Sequence, residues 1–349
     1  MWTSSAFRAG EWVEVRSKEE ILATLDAHGR LDGLSFMPEM FGQCGKRLRV
    51  FRRAHKTCDP PNGLKGRRMT GAVHLEDVRC DGAAHGGCQA GCLIFWKDAW
   101  LKIVDAPDRA SDSAKSSPGP AVCREQDVWS GCYAAGSRPD VDDPAYVCQS
   151  TQMQEATEPL QWWDIRQYIE DWTSGNVAPS QILAALVHSV LDAGAGAGIG
   201  LGSALRWIYD TVQRAHGGTP YPARPGTIPP GVKTPSMRLD LQPGEFVKVR
   251  RYEEILATID ENSHNRGMVW DGEMVPYCGG TYQVLRRVNR IIDEKTGRML
   301  KLKNECIQLE GVVCNACYAK YRKFCPRSIF PYWREIWLER VKSNAPAAQ

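Results

Sequence analysis

An internal duplication constrains the fold of this chain more than any other feature of its sequence. Residues 10–26 (GEWVEVRSKEEILATLD) match residues 244–260 (GEFVKVRRYEEILATID). The alignment continues without a gap to Cys80 and Cys314, with 26 of 71 positions identical. After three additional residues in the second copy, FWKDAWLKIV aligns with YWREIWLERV. A repeat of this length predicts two modules with the same fold.

Each copy has the pattern of a small β-rich domain. Apolar and polar side chains alternate along several segments, which predicts half-buried strands; these are 11–16, 46–53, 73–78, 281–287 and 307–312. The capping-box spacing from Ser17 to Glu20 predicts a short helix, and Arg251 in the second copy is a weaker cap. Tryptophans four residues apart predict a final helix at 95–104 and at 332–341.

These patterns predict an α+β fold, mostly small β. We expect two duplicated SH3-like β-barrel modules, each ending in a helix, separated by a helical insert. The predicted domains are module 1 at 8–105, a loop region with three cysteines at 106–150, the helical insert at 151–218, a Pro-rich linker at 219–241 and module 2 at 242–343. Residues 106–120 have the Pro- and Ser-rich composition of a polar linker.

Charge and motifs exclude several classes of function. The net charge is only +3, too small to favour binding to nucleic acid. The apolar stretch at 182–209 is interrupted by His188, Asp192 and Arg206, which argues against a membrane span. No secretion signal is recognised at the N-terminus, so we expect a cytoplasmic protein. The sequence has no Walker loop, HExxH or GxSxG motif, and no dinucleotide fingerprint in a strand–turn–helix setting.

Thirteen cysteines in a reducing compartment favour metal ligation or a catalytic thiol over disulfides. Aligning the copies pairs three cysteines of the first copy with three of the second. Three thiolates leave a tetrahedral site one ligand short, which Cys92 supplies in the first copy and Cys306 or Cys317 in the second. The predicted metal ligands are Cys44, Cys80, Cys88, Cys92, Cys278, Cys306, Cys314 and Cys325.

The roles of the other candidate residues stay open at this level. Cys58 is expected to be a buried free thiol. Cys123, Cys132 and Cys148 either form a third site with a borrowed ligand or include a nucleophile. His55 and His85 have no histidine counterparts, which favours surface or loop positions over ligation. Two recurring carboxylates, Glu39 and Glu273, are expected to bind the backbone amides of a turn rather than to assist a metal site.

The shared motifs, EEILATxD, EM-x₃-CG and W-x₃-WL, resemble those of a group of uncharacterised bacterial proteins, and this resemblance implies no activity. Dispersed cysteines and the Cys325–Pro326 step favour an iron–sulfur cluster over zinc. We therefore expect a metalloprotein, with one site per repeat, that acts as a redox component or enzyme with a redox partner protein or a biosynthetic enzyme. The alternative is a zinc-stapled, non-enzymatic binding or scaffold protein with tandem SH3-like modules.

Overall fold

The computed structural model describes residues 5–104, 122–196 and 202–341 of the chain, which form a mixed α+β structure with several small antiparallel sheets. The strands are β1 (Trp12–Val15), β2 (Arg30–Leu31), β3 (Leu34–Ser35), β4 (Arg47–Arg53), β5 (Lys56–Asp59), β6 (Lys65–Arg68), β7 (Ala72–Arg79), β8 (Leu93–Lys97), β9 (Leu101–Ile103), β10 (Glu158–Pro159), β11 (Phe246–Val249), β12 (His264–Asn265), β13 (Met268–Val269), β14 (Thr281–Arg287), β15 (Arg290–Ile292), β16 (Met299–Lys301), β17 (Ile307–Leu309) and β18 (Leu338–Arg340). The helices are α1 (Lys18–Leu22), α2 (Glu125–Ser130), α3 (Met153–Ala156), α4 (Arg166–Thr173), α5 (Pro179–Gly196), α6 (Gly202–Ala215) and α7 (Tyr252–Leu256). The predicted linker at 106–120 lies outside the described residues.

The chain divides into two compact units. Unit 1 contains residues up to 182 together with residues 290–301 and 320–329. Unit 2 contains residues 183–289, 302–319 and those from 330 onward. Two short segments of the second repeat therefore fold with the first unit.

The main sheet of unit 1 has the strand order β8-β7-β4-β1-β9. Its two edge strands, β8 and β9, follow each other in the chain and are joined only by the 3₁₀ turn Asp98–Trp100. Because so short a connection joins opposite edges, the sheet curls into a half-barrel. A register shift between Val50 and Arg52 in the β4–β7 pair adds local bending, as β-bulges do.

Tryptophans fill the inside of this curled sheet. Trp96 and Trp100 are fully buried, and Phe36 packs edge-to-face against Trp100 with ring centroids 5.2 Å apart. The indole N–H of Trp100 donates a hydrogen bond to the Thr24 hydroxyl, 3.1 Å away. This bond ties the segment after α1 to the turn between β8 and β9, and it satisfies a polar group that would otherwise be costly to bury.

The predicted final helices are wrong. Residues 95–104 form the end of β8, a 3₁₀ turn and β9, and residues 332–341 contain the 3₁₀ turn Glu335–Trp337 followed by β18. The spacing of four arises because the first tryptophan pairs with a neighbouring strand and the second lies in the 3₁₀ turn, and both are buried in the core: Trp96 lies on β8, and Trp333 forms a single β-bridge with Ile307. The predicted strands, the capping box at Ser17 and the helices of the insert are confirmed, except that β17 covers only 307–309 of the predicted 307–312 and α4 begins only at Arg166.

The main sheet of unit 2 has the order β17-β14-β11-β18. Its core contains Trp333 and Trp337, both fully buried, and Trp270 packs edge-to-face on each of them. The Trp337 indole donates to the Thr258 hydroxyl at 2.9 Å. Helix α6 belongs to the same unit, as does α5 from Leu183 onward. In the described part of the chain, no helix combines the length and apolar character needed to cross a membrane.

Candidate metal centre

Four cysteine thiols surround one small cavity in unit 1. The cavity has a volume of about 40 Å³ and is lined by Cys80, Cys88, Cys92 and Cys148 together with apolar residues and four polar ones, His85, Gln149, Ser150 and Glu294. Cys92 is close enough to the other three for its charge to raise the pKa of each of them. We call these four residues the cysteine cage.

Three members of the cage come from the loop that joins β7 to β8. Cys80 directly follows β7, and its N–H donates to the carbonyl of Cys92, 2.9 Å away, so the loop is closed at its base. Inside it, the N–H groups of His85 and Gly87 both donate to the carbonyl of Gly82. The tight turns place four glycines at positive φ, where other residues are strained: Gly82, Gly86, Gly87 and Gly91.

The fourth member, Cys148, comes from a separate segment that precedes α3. Its N–H donates to the Thr151 hydroxyl at 3.0 Å, and the Thr151 hydroxyl donates back to the Cys148 carbonyl at 3.0 Å. Ser150 lies two residues after Cys148, and its hydroxyl donates to the sulfur of Cys92 at 3.6 Å. This turn therefore places Cys148 at the cavity and brings the Ser150 hydroxyl, a hydrogen-bond donor, to the sulfur of Cys92.

Burial dominates the electrostatics of the cage. It raises the pKa of Cys80 and Cys88, and it raises the pKa of Cys148 to about 12. Thiols with pKa values raised in this way keep their protons at neutral pH, and a bound metal would convert them to thiolates. Burial likewise raises the pKa of Cys132 to about 12, so neither Cys132 nor Cys148 has the lowered pKa of a catalytic thiol.

Glu39 and His85 form a buried pair beside Cys80. The His85 Nδ1 lies 2.8 Å from a Glu39 carboxylate oxygen, and its Nε2 lies 3.1 Å from the Val147 carbonyl. The same Glu39 oxygen accepts hydrogen bonds from the Ala84 N–H and the Cys80 thiol. Burial acts to raise the pKa of Glu39, but the interaction with His85 together with backbone N–H donors outweighs it, so the pKa is lowered.

The contacts of Glu39 and His85 test two predictions, one about the recurring carboxylates and one about the histidines. The recurring carboxylates do bind turn amides, because Glu39 accepts from Ala84 and, in unit 2, Glu273 accepts from the N–H groups of residues 317–319. We expected His55 and His85 at surface or loop positions: both lie in loops, between β4 and β5 and between β7 and β8, but they are buried there, 3% and 1% exposed. The Nε2 of His55 lies 3.3 Å from a carboxylate oxygen of the buried Asp171 on α4. This contact indicates a structural role for His55.

Residues of the second repeat complete the wall of the cavity. The backbone N–H of Ile292, on β15, donates to the sulfur of Cys88 at 3.3 Å. Glu294, in the turn after β15, lines the cavity and pairs with the guanidinium of Arg327. Arg327 is 1% exposed and also donates to the Ser150 hydroxyl at 2.7 Å. The cage thus has a fixed cation beside it.

The other predicted ligands lie elsewhere. Cys44 is packed on the core beside α1, where burial and Glu19 raise its pKa, and Cys278 has the corresponding surroundings with Glu253. Cys306 is buried near Arg334 and Arg287. Cys314 is half-buried in unit 2, and Cys325 is buried in unit 1 next to Cys58.

The structure brings together Cys80, Cys88 and Cys92 from the predicted set, and it adds Cys148. Cys148 has no counterpart in the second repeat, so alignment of the two copies could not identify it. Its proximity to the other thiols depends on where the 145–152 segment packs, which no local pattern encodes. The chain matches no protein-family model, no curated protein and no solved structure.

Proposed function

We propose that the protein is a cysteine-ligated metalloprotein that holds an iron–sulfur cluster in the cysteine cage and acts as a redox component or redox enzyme. The observation that carries this proposal is the convergence of four thiols, from two separate segments, on one cavity. Four cysteine thiolates are the donor set of [2Fe–2S] and [4Fe–4S] clusters. A bound cluster would supply one-electron transfer.

The spacing of the thiols favours a cluster over a single ion. Tetrahedral zinc with bonds of about 2.3 Å to sulfur places its sulfurs about 3.8 Å apart. Among the described residues, no three of the cage sulfurs lie within 4.8 Å of one another. The cavity of about 40 Å³ has room for roughly three water-sized spheres, which is more than one zinc ion fills.

Hydrogen bonds to the sulfurs support a redox role. The Ile292 N–H and the Ser150 hydroxyl each donate to a cage sulfur, on Cys88 and Cys92. Such bonds stabilise the more negative, reduced state of a cluster and are one of the means by which proteins set its potential. The buried cation of Arg327 acts in the same direction.

A zinc site is the second candidate, and a separate observation favours it. Ligand atoms of Glu39, Cys80 and His85 lie within 4.8 Å of one another, and the second carboxylate oxygen of Glu39 is buried without a partner. In this case the protein is a zinc-stapled binding or scaffold protein. Both nitrogens of His85 already face acceptors, so zinc binding there requires His85 to give up one contact.

We further infer that the two main sheets are copies of one SH3-like module. Trp12 lies opposite Arg49 in one sheet and Phe246 lies opposite Gln283 in the other, at the alignment offset of 234. A register shift also occurs at corresponding positions in both sheets. Since the cage in unit 1 includes Cys148, which is not repeated, we confine the proposal to one cluster per chain.

Anaerobic purification and analysis of the full chain test the proposal. We expect a coloured protein with broad visible absorbance and with iron and acid-labile sulfide in amounts that match one cluster. Cys148→Ser and Cys92→Ser should each lose most of the iron and the colour. A colourless protein that contains one zinc would overturn the iron–sulfur proposal in favour of the second candidate.

Cys44→Ser is the matched control, because Cys44 is a partly buried thiol packed on the same core but away from the cavity. It should keep the full metal content. Retention of metal in Cys148→Ser together with loss in Cys44→Ser would contradict the ligand assignment. Loss of metal in His85→Ala but not in Cys148→Ser would locate a single ion at the Glu39, Cys80 and His85 group.

A further inference from the structure

A second pair of thiols meets in unit 1, outside the cysteine cage. Cys58 lies on β5 and Cys325 lies in the 320–329 segment of the second repeat, and the two are 1% and 4% exposed. The thiol of Cys58 is hydrogen-bonded to that of Cys325. Residues 267 positions apart in the sequence therefore bring two sulfurs into contact.

Tight backbone packing holds this contact in place. Gly66 lies opposite Cys58 in the β5–β6 pair, and a Cβ added at Gly66 would lie 2.9 Å from the carbonyl of Tyr321. Only glycine lets β6 and the segment approach so closely. The guanidinium of Arg327 donates to the Cys58 carbonyl at 3.3 Å, which fixes β5 to the segment two residues beyond Cys325.

The residues that align with Cys325 and Cys58 also contact each other. In the alignment Cys325 corresponds to Cys88, and Cys58 corresponds to Ile292. Cys88 accepts a hydrogen bond from the Ile292 backbone, just as Cys325 meets Cys58. The same kind of contact thus occurs twice. A cysteine faces another thiol only at Cys58 and Cys325, whereas Cys88 faces a backbone N–H.

The surroundings of this pair suit a dithiol better than a metal ion. The hydrogen bond with Cys325 and burial raise the pKa of Cys58, and the positive charges of Arg327 and Arg322 oppose that shift only in part. Among the described residues, the group of three ligand atoms that lie within 4.8 Å of one another does not include either thiol.

We propose that Cys58 and Cys325 form a redox-active dithiol that a small peroxide converts to an intramolecular disulfide. One thiolate attacks a peroxide oxygen, which forms a sulfenic acid and releases water or an alcohol. The second thiol then attacks the sulfenic sulfur, which forms the S–S bond and releases water. In total two thiols and one hydrogen peroxide give one disulfide and two waters. The proposal does not depend on the cluster.

The disulfide would fasten the 320–329 segment to β5. The same segment carries Arg327, whose guanidinium reaches Ser150 and Glu294 at the cysteine cage. Oxidation would therefore fix the position of the cation beside the cage. Closing so long a loop also restricts the unfolded chain, so the oxidised protein should unfold at a higher temperature.

Peptide mapping of the full-length protein tests this proposal. The reduced protein is treated with hydrogen peroxide, denatured with N-ethylmaleimide to block free thiols and digested without reductant. We expect one cross-linked species that joins the Cys58 and Cys325 peptides, is two hydrogens lighter than the two together and disappears with dithiothreitol. The Tm should rise on oxidation and return on reduction.

Three variants make the outcome decisive. Cys58→Ser should lack the cross-link and show alkylated Cys325. Cys123→Ser, which removes a buried thiol elsewhere, should form the cross-link as the natural chain does. Cys148→Ser, which lacks a cage ligand, should also form it, so failure of the cluster proposal leaves this one intact. Full alkylation of both Cys58 and Cys325 after other thiols have oxidised, or their linkage to other cysteines, would overturn it.

Discussion

Asp98 and Glu335 occupy corresponding positions in the two repeats and have opposite pKa shifts. Asp98 accepts hydrogen bonds from the Ser5 hydroxyl and the Ala6 N–H, but burial dominates and raises its pKa. Burial acts in the same direction on Glu335, yet three backbone N–H groups at 239–241 and the Arg287 guanidinium outweigh it and lower the pKa. A directly bonded cation and two more backbone amides reverse the sign of the shift.

We expect Glu335→Gln to destabilise the protein by about 3 kcal/mol at neutral pH, because it removes the buried charge partner of Arg287 and leaves only the exposed Asp240 carboxylate, 3.9 Å away. A lowered pKa means that the carboxylate stabilises the fold above its ordinary pKa, near 4.5, and that this stabilisation is lost as the pH falls through the lowered value. Urea unfolding at pH 7 and in acid measures both effects. The gap between the natural chain and the variant should narrow in acid.

Glu339→Gln provides the control. Its partner Arg250 and Glu339 itself form a partly exposed ion pair, and such pairs contribute less than about 1 kcal/mol. Equal destabilisation by both variants, or a gap for Glu335→Gln that stays constant down to pH 3.5, would contradict this account of the buried carboxylate.

At the scale of elements, the loop from Cys80 to Cys92 carries most of the candidate site. Its conformation depends on Gly82, which has a φ of 75° and accepts two backbone hydrogen bonds at its carbonyl. A Cβ added at Gly82 would lie 2.1 Å from the carbonyl of Cys88. Backbone cannot yield at that distance without moving Cys88 itself.

We therefore expect Gly82→Ala to abolish metal binding while the main sheet of unit 1 stays folded. Metal analysis and circular dichroism measure the two properties. Gly63→Ala is the control, because Gly63 also has a positive φ of 73° but has open space around it; it should lose a little stability and keep its metal. Full metal content in Gly82→Ala would show that the loop does not hold the ligands.

Strands could be predicted from the sequence because alternation of apolar and polar residues reports directly which side chains face the core. The predicted segment at 281–287 coincides with β14. The strand and 3₁₀ turn at the end of each copy could not be predicted in this way, because a tryptophan spacing of four fits both a helix and a strand followed by a 3₁₀ turn. Only hydrogen bonding across the sheet, as between Val73 and Trp96 on β7 and β8, selects the second.

The candidate site was predictable only where it is local. Alignment of the two copies predicts Cys80 and Cys88 as ligands, and Cys92 follows Cys88 by four residues in the same loop. Cys148 joins them through tertiary packing, and Ile292 contributes a backbone N–H, a group that every residue except proline has. No side-chain pattern could have identified either contribution.

At the scale of the whole molecule, the two aligned stretches of sequence do not coincide with the two compact units. Residues 290–301 and 320–329 belong to the second repeat and yet pack within unit 1. They supply the amide on Cys88, the ion pair of Glu294 with Arg327, and the contact to β5 at Cys58. A chain divided in the Pro-rich linker would separate unit 1 from residues 290–301 and 320–329, which belong to it.

We therefore expect a fragment of residues 1–241 to lose the metal and the cooperative unfolding of the full chain, because its cavity is open and Cys88 lacks its donor. Co-expression with residues 242–349 should restore both if the pieces associate. Removal of residues 342–349 alone, which leaves the segments of unit 1 intact, is the control and should retain the metal. Metal content and thermal unfolding measure the outcome. A fragment 1–241 that binds metal as the full chain does would show that the cage is complete within the first repeat and the Cys148 segment, and that the second repeat only covers it.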